Sequence, residues 1–216
     1  MQGEVEKNDL RAYNMDISTL LSVIIGAIFI NNFILSKFLG LCSFIGISKQ
    51  TKPALYMGVS VTFVTTSASI ITWAIYNFIL IPYHIEYLRT ISFILVIAFF
   101  VQLVEMVIKK LSQSLYRTLG IYLPLITVNC AVMGVAVLNS EMFFKDGINP
   151  LASFFLSALQ GFCVGVGYIL VMLFMSGIRE RLELSDIPGS FKDAPIAFII
   201  ASLMSMAFMG FAGFRF

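Results

Sequence analysis

Charge is scarce in this sequence, and that scarcity excludes more than any single motif does. Asp, Glu, Lys and Arg together make up 12% of the 216 residues. A water-soluble domain carries about twice that fraction, because its surface has to be solvated. The net charge is only +2, and there is no basic run and no basic patch interleaved with aromatics, so nucleic acid is excluded as a partner. Histidine is almost missing: the single one, His84, stands in a Pro-Tyr-His stretch and reads as an interface residue. The three cysteines, Cys42, Cys130 and Cys163, are too few and too scattered for a disulfide-stapled fold. There is no nucleotide-binding loop, no flavin attachment motif and no triad-like set, so the chain does not read as an enzyme on its own.

A cleavable leader is not expected either. Residues 1–16 are polar and acidic, with Glu4, Glu6, Asp9 and Asp16 against Lys7 and Arg11, which is the wrong charge for a signal n-region. These residues are taken as a polar N-terminal extension, and residues 17–216 as a single membrane domain.

What the chain does have is apolar length. Hydrophobic residues make up 59% of it and the mean hydropathy is +0.93, so most of its surface must face lipid. A helix needs roughly 20 apolar residues to cross the ~30 Å hydrocarbon core. Six such runs are expected, at about 17–36, 54–81, 88–108, 118–139, 151–178 and 194–213. The breaks between them hold Lys49–Pro53, Pro82–Arg89, Lys109–Arg117, Asn139–Pro150 and Arg179–Asp193. Lys49, Lys52, Lys109, Lys110, Arg117, Arg179, Arg181 and Lys192 fall on one side, and Lys7, Arg11, Arg89, Lys145 and Arg215 on the other. The eight-to-five excess marks the first side as cytoplasmic and both termini as extracytoplasmic.

The first run is too long for one straight span. Apolar sequence continues from Ile17 to Ile47, about 46 Å at 1.5 Å per residue. It also contains Asn31, Asn32, Lys37, Gly40 and Gly46. A broken or re-entrant helix explains the length, the polar pair and the glycines together, since irregular backbone at membrane depth must be buried in protein or line a cavity. The fourth run is similar, with Gly120, Pro124, Thr127 and Asn129 inside it. Aligning Cys42 with Cys130 also aligns Gly46 with Gly134. Three spans plus three then form two inverted repeats with interrupted first and fourth helices, an arrangement known from transporters. The expected fold is therefore all-α, integral to the membrane, with Cys42 and Cys130 at matched mid-depth.

Two such thiols are open to several readings. Buried cysteine behaves as a small hydrophobe, a disulfide is a second option, and soft-metal ligation is a third. An iron–sulfur cluster usually takes four cysteines, so a cluster here needs two more from another chain. Cys163 has no counterpart in the first half and is assigned to packing. Lys37 either compensates charge near Cys42 or extends its head to the interface. Asn31 and Asn32 are expected to satisfy broken-helix backbone, and Glu105 either marks a cation path or pairs with Lys109 at i,i+4.

Long stretches carry a family resemblance. Asn31-Asn32-Phe33-Ile34-Leu35-Ser36-Lys37-Phe38-Leu39-Gly40-Leu41-Cys42, residues 88–97 and residues 119–134 (ending Thr127-Val128-Asn129-Cys130-Ala131-Val132-Met133-Gly134) resemble the Rnf/Nqr membrane-subunit family. So do Ile178-Arg179-Glu180-Arg181-Leu182 and residues 204–211. The resemblance spans about residues 17–214 and points to the Rnf complex, an ion-translocating ferredoxin:NAD⁺ oxidoreductase. It implies that the A-type and E-type members are homologous six-helix proteins inserted in opposite orientations, each giving two cysteines to one [2Fe–2S] cluster in the membrane. Carried onto this chain, the ligands are Cys42 and Cys130. The implied partners are the E-type member and the remaining members, of types B, C, D and G. The implied role is electron relay across a prokaryotic inner membrane, coupled to Na⁺ or H⁺ movement. Relatives often have proline after the first cysteine, where this chain has Ser43. Two other readings remain open, a solute transporter or vitamin-importer membrane component and a structural scaffold with inert cysteines.

Overall fold

The computed structural model describes residues 17–30, 32–83, 86–111, 125, 129–143, 150–185 and 194–210. These form an all-α integral membrane protein, with no strand among the described residues. In chain order the helices are α1 (Ile17–Ile25), α2 (Phe33–Lys37), α3 (Leu41–Ile47), α4 (Thr51–Ile75), α5 (Arg89–Leu111), α6 (Cys130–Met142), α7 (Pro150–Glu183) and α8 (Ala194–Met209). Helix α1 runs on through a π-helical segment, Gly26–Ile30, and α4 through another, Tyr76–Leu80, before a last turn at Ile81–Tyr83.

Three helical stretches are long and apolar enough to cross a bilayer: Thr51–Tyr83, Arg89–Met106 and Pro150–Leu182. Leu20–Ile30, Cys130–Met142 and Ala194–Met209 are shorter apolar helices. Two of these belong to the first and fourth runs, where interruption is expected. The first run is broken twice. The π-helical segment ends at Ile30 and Asn32 caps the start of α2; Phe38 (φ 55°) and Gly40 (φ 86°) then turn left-handed before α3 begins. A left-handed turn carries a Cβ penalty everywhere except at glycine, so Gly40 is well suited to its place and Phe38 is not.

Helices α4 and α7 form the central pair, and small residues let them approach. A Cβ at Gly165 would come within 2.5 Å of Thr62 Cγ2 and 2.7 Å of Thr62 Cα, and one at Gly161 within 2.5 Å of Ser69 Oγ. This is the small-xxx-small packing that membrane helices use, where lipid offers no hydrophobic drive to associate. Thr65 donates across the seam to the Gly161 carbonyl at 3.2 Å. Further along, Asn139 of α6 donates to Ser69 Oγ at 3.1 Å and to Ser157 Oγ at 3.0 Å, pinning α6 to both central helices. Around this seam Phe44, Met57, Phe93, Val171, Met172, Met175 and Ala197 are completely buried. At the rim, Arg89 and Glu141 form an ion pair at 3.6 Å between α5 and α6.

Helix α7 corrects one boundary. Charge patterning puts Arg179 at the opening of the polar loop before the last span, but α7 continues to Glu183, and Arg179 is buried at 6% exposure. With 34 residues, α7 is about 51 Å long, which exceeds the bilayer core. Its final turns serve as a clamp for the α3–α4 junction. Arg179 donates to the Ile45 carbonyl at 2.7 Å and to Ser48 Oγ at 2.8 Å, at the C-terminal end of α3. Glu180 accepts from the Thr51 amide at 2.9 Å and the Thr51 hydroxyl at 2.6 Å, at the N-terminal end of α4. A cation at a helix C-terminus and an anion at an N-terminus each complement the helix dipole.

Candidate functional site: two thiols at interrupted helices

The site begins with two asparagines that start helices inside apolar sequence. Asn32 (φ −60°, ψ 117°) accepts from the Ile34 amide through its side chain, and Asn129 (φ −73°, ψ 114°) accepts in the same way from the Ala131 amide. A helix start leaves four N–H groups without intrahelical partners, and an asparagine oxygen satisfies one of them. Asn32 does more. Its Nδ2 donates to the Ile28 carbonyl at 3.0 Å and the Gly167 carbonyl at 3.1 Å, binding the broken first run to α7. The backbone role expected for Asn32 is therefore the observed one. Asn31, Gly120, Pro124, Thr127 and His84 lie outside the described residues.

The two cysteines follow such breaks. Cys130 is the first residue of α6, after its Asn129 cap, and Cys42 is the second residue of α3, after the Gly40 turn. Each thiol thus sits in a first helical turn, where the chain leaves N–H groups without intrahelical partners. The two first turns meet. A Cβ on Gly40 would lie 3.1 Å from Asn129 Oδ1 and 3.4 Å from Ala131 Cβ, so the residue two before Cys42 packs against both neighbours of Cys130. Matching Gly46 with Gly134 holds in sequence but not in packing. A Cβ at Gly134 would strike Leu39 Cδ1 at 2.6 Å, whereas Gly46 has nothing within 4 Å.

All three cysteines are free thiols, and they differ in exposure. Cys42 and Cys130 are exposed, while Cys163 is buried at 4% among Ala27, Phe33, Val135 and Val164. Among the described residues no three His, Cys, Asp or Glu side chains gather in one place. The pair is therefore two soft donors on an open face, with no third donor from the described residues. That donor set fits one half of a four-cysteine site and leaves room for a partner to bring the other half. Lys37, last residue of α2, is exposed, and Glu105 is half-buried on α5.

Beneath the thiols lies a polar layer that no sequence pattern signals. Tyr168 of α7, 2% exposed, shares a 2.7 Å hydrogen bond with Ser43 Oγ. Ser43, 1% exposed, donates to the Gly40 carbonyl at 3.0 Å and receives Asn129 Nδ2 at 3.5 Å. Tyrosine in an apolar run reads as packing, and nothing in its spacing connects it to residues more than a hundred positions away.

Known proteins resemble this chain over nearly its whole length. Residues 20–215 match the model of the Rnf-Nqr family, described as "Rnf-Nqr subunit, membrane protein". The chain is 53% identical over 193 residues to the A-type component of the ion-translocating oxidoreductase complex of Sodalis glossinidius (strain morsitans), covering 89% of this chain and 96% of that one. It is 53% identical over 196 residues to the same component of Azoarcus sp. (strain BH72), covering 91% and 97%. To that of Salmonella arizonae it is 54% identical over 193 residues, covering 89% and 96%. With a family model matched from residue 20 to residue 215 and relatives this similar, the chain belongs to the Rnf-Nqr family of membrane-protein subunits.

Proposed function

We propose that this chain is the A-type membrane component of an ion-translocating ferredoxin:NAD⁺ oxidoreductase complex and that Cys42 and Cys130 supply two of the four ligands of an intramembrane [2Fe–2S] cluster. The observation that carries this reading is the meeting of two first helical turns that each bear a free, exposed thiol, with no further donor gathered beside them among the described residues. A homologous component of E type, inserted the other way up, would complete the set. Components of types B, C, D and G would hold the remaining redox centres, and Na⁺ or H⁺ would be the coupled ion. The lysine and arginine distribution supports both termini on the extracytoplasmic side of the inner membrane. The solute-importer reading explains neither the paired thiols nor relatives named as parts of an oxidoreductase complex, and the scaffold reading leaves the paired thiols without a role.

When bound, the cluster would supply a one-electron carrier inside the apolar layer. This chain's residues contribute the rest. Gly40 and Asn129 place the two sulfurs on adjoining helix starts. The tie from Asn32 to α7 holds the break in shape. Electron paramagnetic resonance of the reduced, purified complex tests the reading. A [2Fe–2S] signal that disappears in Cys42→Ser and in Cys130→Ser is the expected result. A signal of full intensity in both variants refutes it.

A further inference from the structure

We propose that the Tyr168 hydroxyl, acting through Ser43, is a positioning group that tunes the thiol pair: it ties the two cysteine-bearing helix starts to α7 and sets how readily a group bound there accepts an electron. The proposal rests on the cluster reading above. Four contacts support it. Tyr168 and Ser43 are 2.7 Å apart, oxygen to oxygen. Ser43 adjoins Cys42 in sequence and donates to the Gly40 carbonyl at 3.0 Å. Asn129, which precedes Cys130, reaches the same Ser43 oxygen at 3.5 Å. The Tyr168 ring also fills the space beside Gly40, where a Cβ would lie 3.4 Å from Cε2. One side chain of α7 therefore packs against the turn before Cys42 directly, and reaches the residue before Cys130 through one hydroxyl.

Chemistry gives the layer a consequence that packing alone would not. With Ser43 donating to Gly40, its oxygen is left to accept from Tyr168 and Asn129, so both hydroxyls of this small network have partners. The Tyr168 hydroxyl bonds the residue next to Cys42, and through that residue's oxygen reaches the residue next to Cys130. Hydrogen bonds and local polarity around ligand sulfurs set the potential of an iron–sulfur centre. An added electron brings negative charge, which a less polar surrounding stabilises less well. Removing the hydroxyls therefore disfavours the reduced form. Helix α7 is suited to the task because it also holds α3 at its other end, through Arg179 to Ile45 and Ser48.

The test uses the intact complex carrying Tyr168→Phe, Ser43→Ala or both, with iron content and an EPR-monitored redox titration as readouts. Expected is unchanged iron and, for Tyr168→Phe, a roughly tenfold fall in the reduction equilibrium, about 59 mV for one electron. Ser43→Ala should shift it in the same direction. The double variant should shift less than the sum of the singles, because contacting residues in one network are non-additive. Full iron with a midpoint unchanged in both single variants overturns the proposal, as does strict additivity. If Tyr168→Phe fails to assemble, Ser43→Ala decides: a lowered midpoint supports the proposal and an unchanged one overturns it. An unmodified complex without an EPR-active cluster would instead refute the cluster reading itself.

Discussion

Gly40 lies so close to Asn129 that a Cβ on it would stand 3.1 Å from the amide oxygen, with the backbone at φ +86°. That contact joins the two halves of the molecule where their thiols begin. Alanine at position 40 would meet both the left-handed backbone cost, roughly 1–2 kcal/mol for a residue with a Cβ, and the Asn129 oxygen. Gly40→Ala is expected to lower both the thermal midpoint of the purified complex and its iron content. Gly46→Ala, with nothing within 4 Å, should leave iron untouched.

Asn32 acts as donor as well as cap, and the two roles can be separated. Aspartate is as good a cap as asparagine, but it cannot donate to the Ile28 and Gly167 carbonyls. At 2% exposure a carboxylate facing two carbonyl oxygens is strongly unfavourable. Asn32→Asp should therefore reduce the yield of assembled complex at least as much as Asn32→Ala. Asn129→Asp should be milder, because it forfeits one long donor contact, the 3.5 Å one to Ser43 Oγ, where Asn32→Asp forfeits two shorter ones.

The α4–α7 seam leaves no room at Gly165. Gly165→Ala places a methyl group 2.7 Å from the Thr62 Cα, which is backbone and cannot rotate away. Overpacking of this kind costs about 1–3 kcal/mol, read as a lowered unfolding temperature. Gly177→Ala on the same helix has nothing within 4 Å and should be neutral or slightly stabilising.

Arg179→Met should destabilise more than Glu180→Gln. Arg179 is buried, and its loss strips donors from the Ile45 carbonyl and Ser48, at roughly 1–3 kcal/mol per unsatisfied buried group. Glu180 is exposed, and a glutamine oxygen can still accept from Thr51. Comparing the thermal midpoints of the two variants checks the order.

Much of the fold is legible in the sequence because hydropathy and length are strong constraints in a membrane. The excess length from Ile17 to Ile47 requires a break, and Asn32 and Gly40 mark where the chain breaks. The pair Cys42 and Cys130 is exposed and Cys163 is buried, a difference in exposure that the half-repeat match does not itself predict. What is not legible depends on tertiary contact. Arg179 reads as a loop residue because charge normally ends an apolar run, yet a carbonyl of α3 satisfies it inside the protein. Tyr168 is indistinguishable from packing residues until Ser43 is brought beside it. The Gly46–Gly134 match is an identity of sequence without an identity of environment.

The central claim is that this chain provides half of a metal centre through two cysteines and not through the third. Iron and acid-labile sulfide, counted per intact complex in the unmodified protein and in Cys42→Ser, Cys130→Ser and Cys163→Ser variants, test it most directly. Loss of about two iron and two sulfide in each of the first two variants, with none lost in Cys163→Ser, is the predicted result. Unchanged iron and sulfide in Cys42→Ser and Cys130→Ser, in complexes that assemble fully, would contradict it.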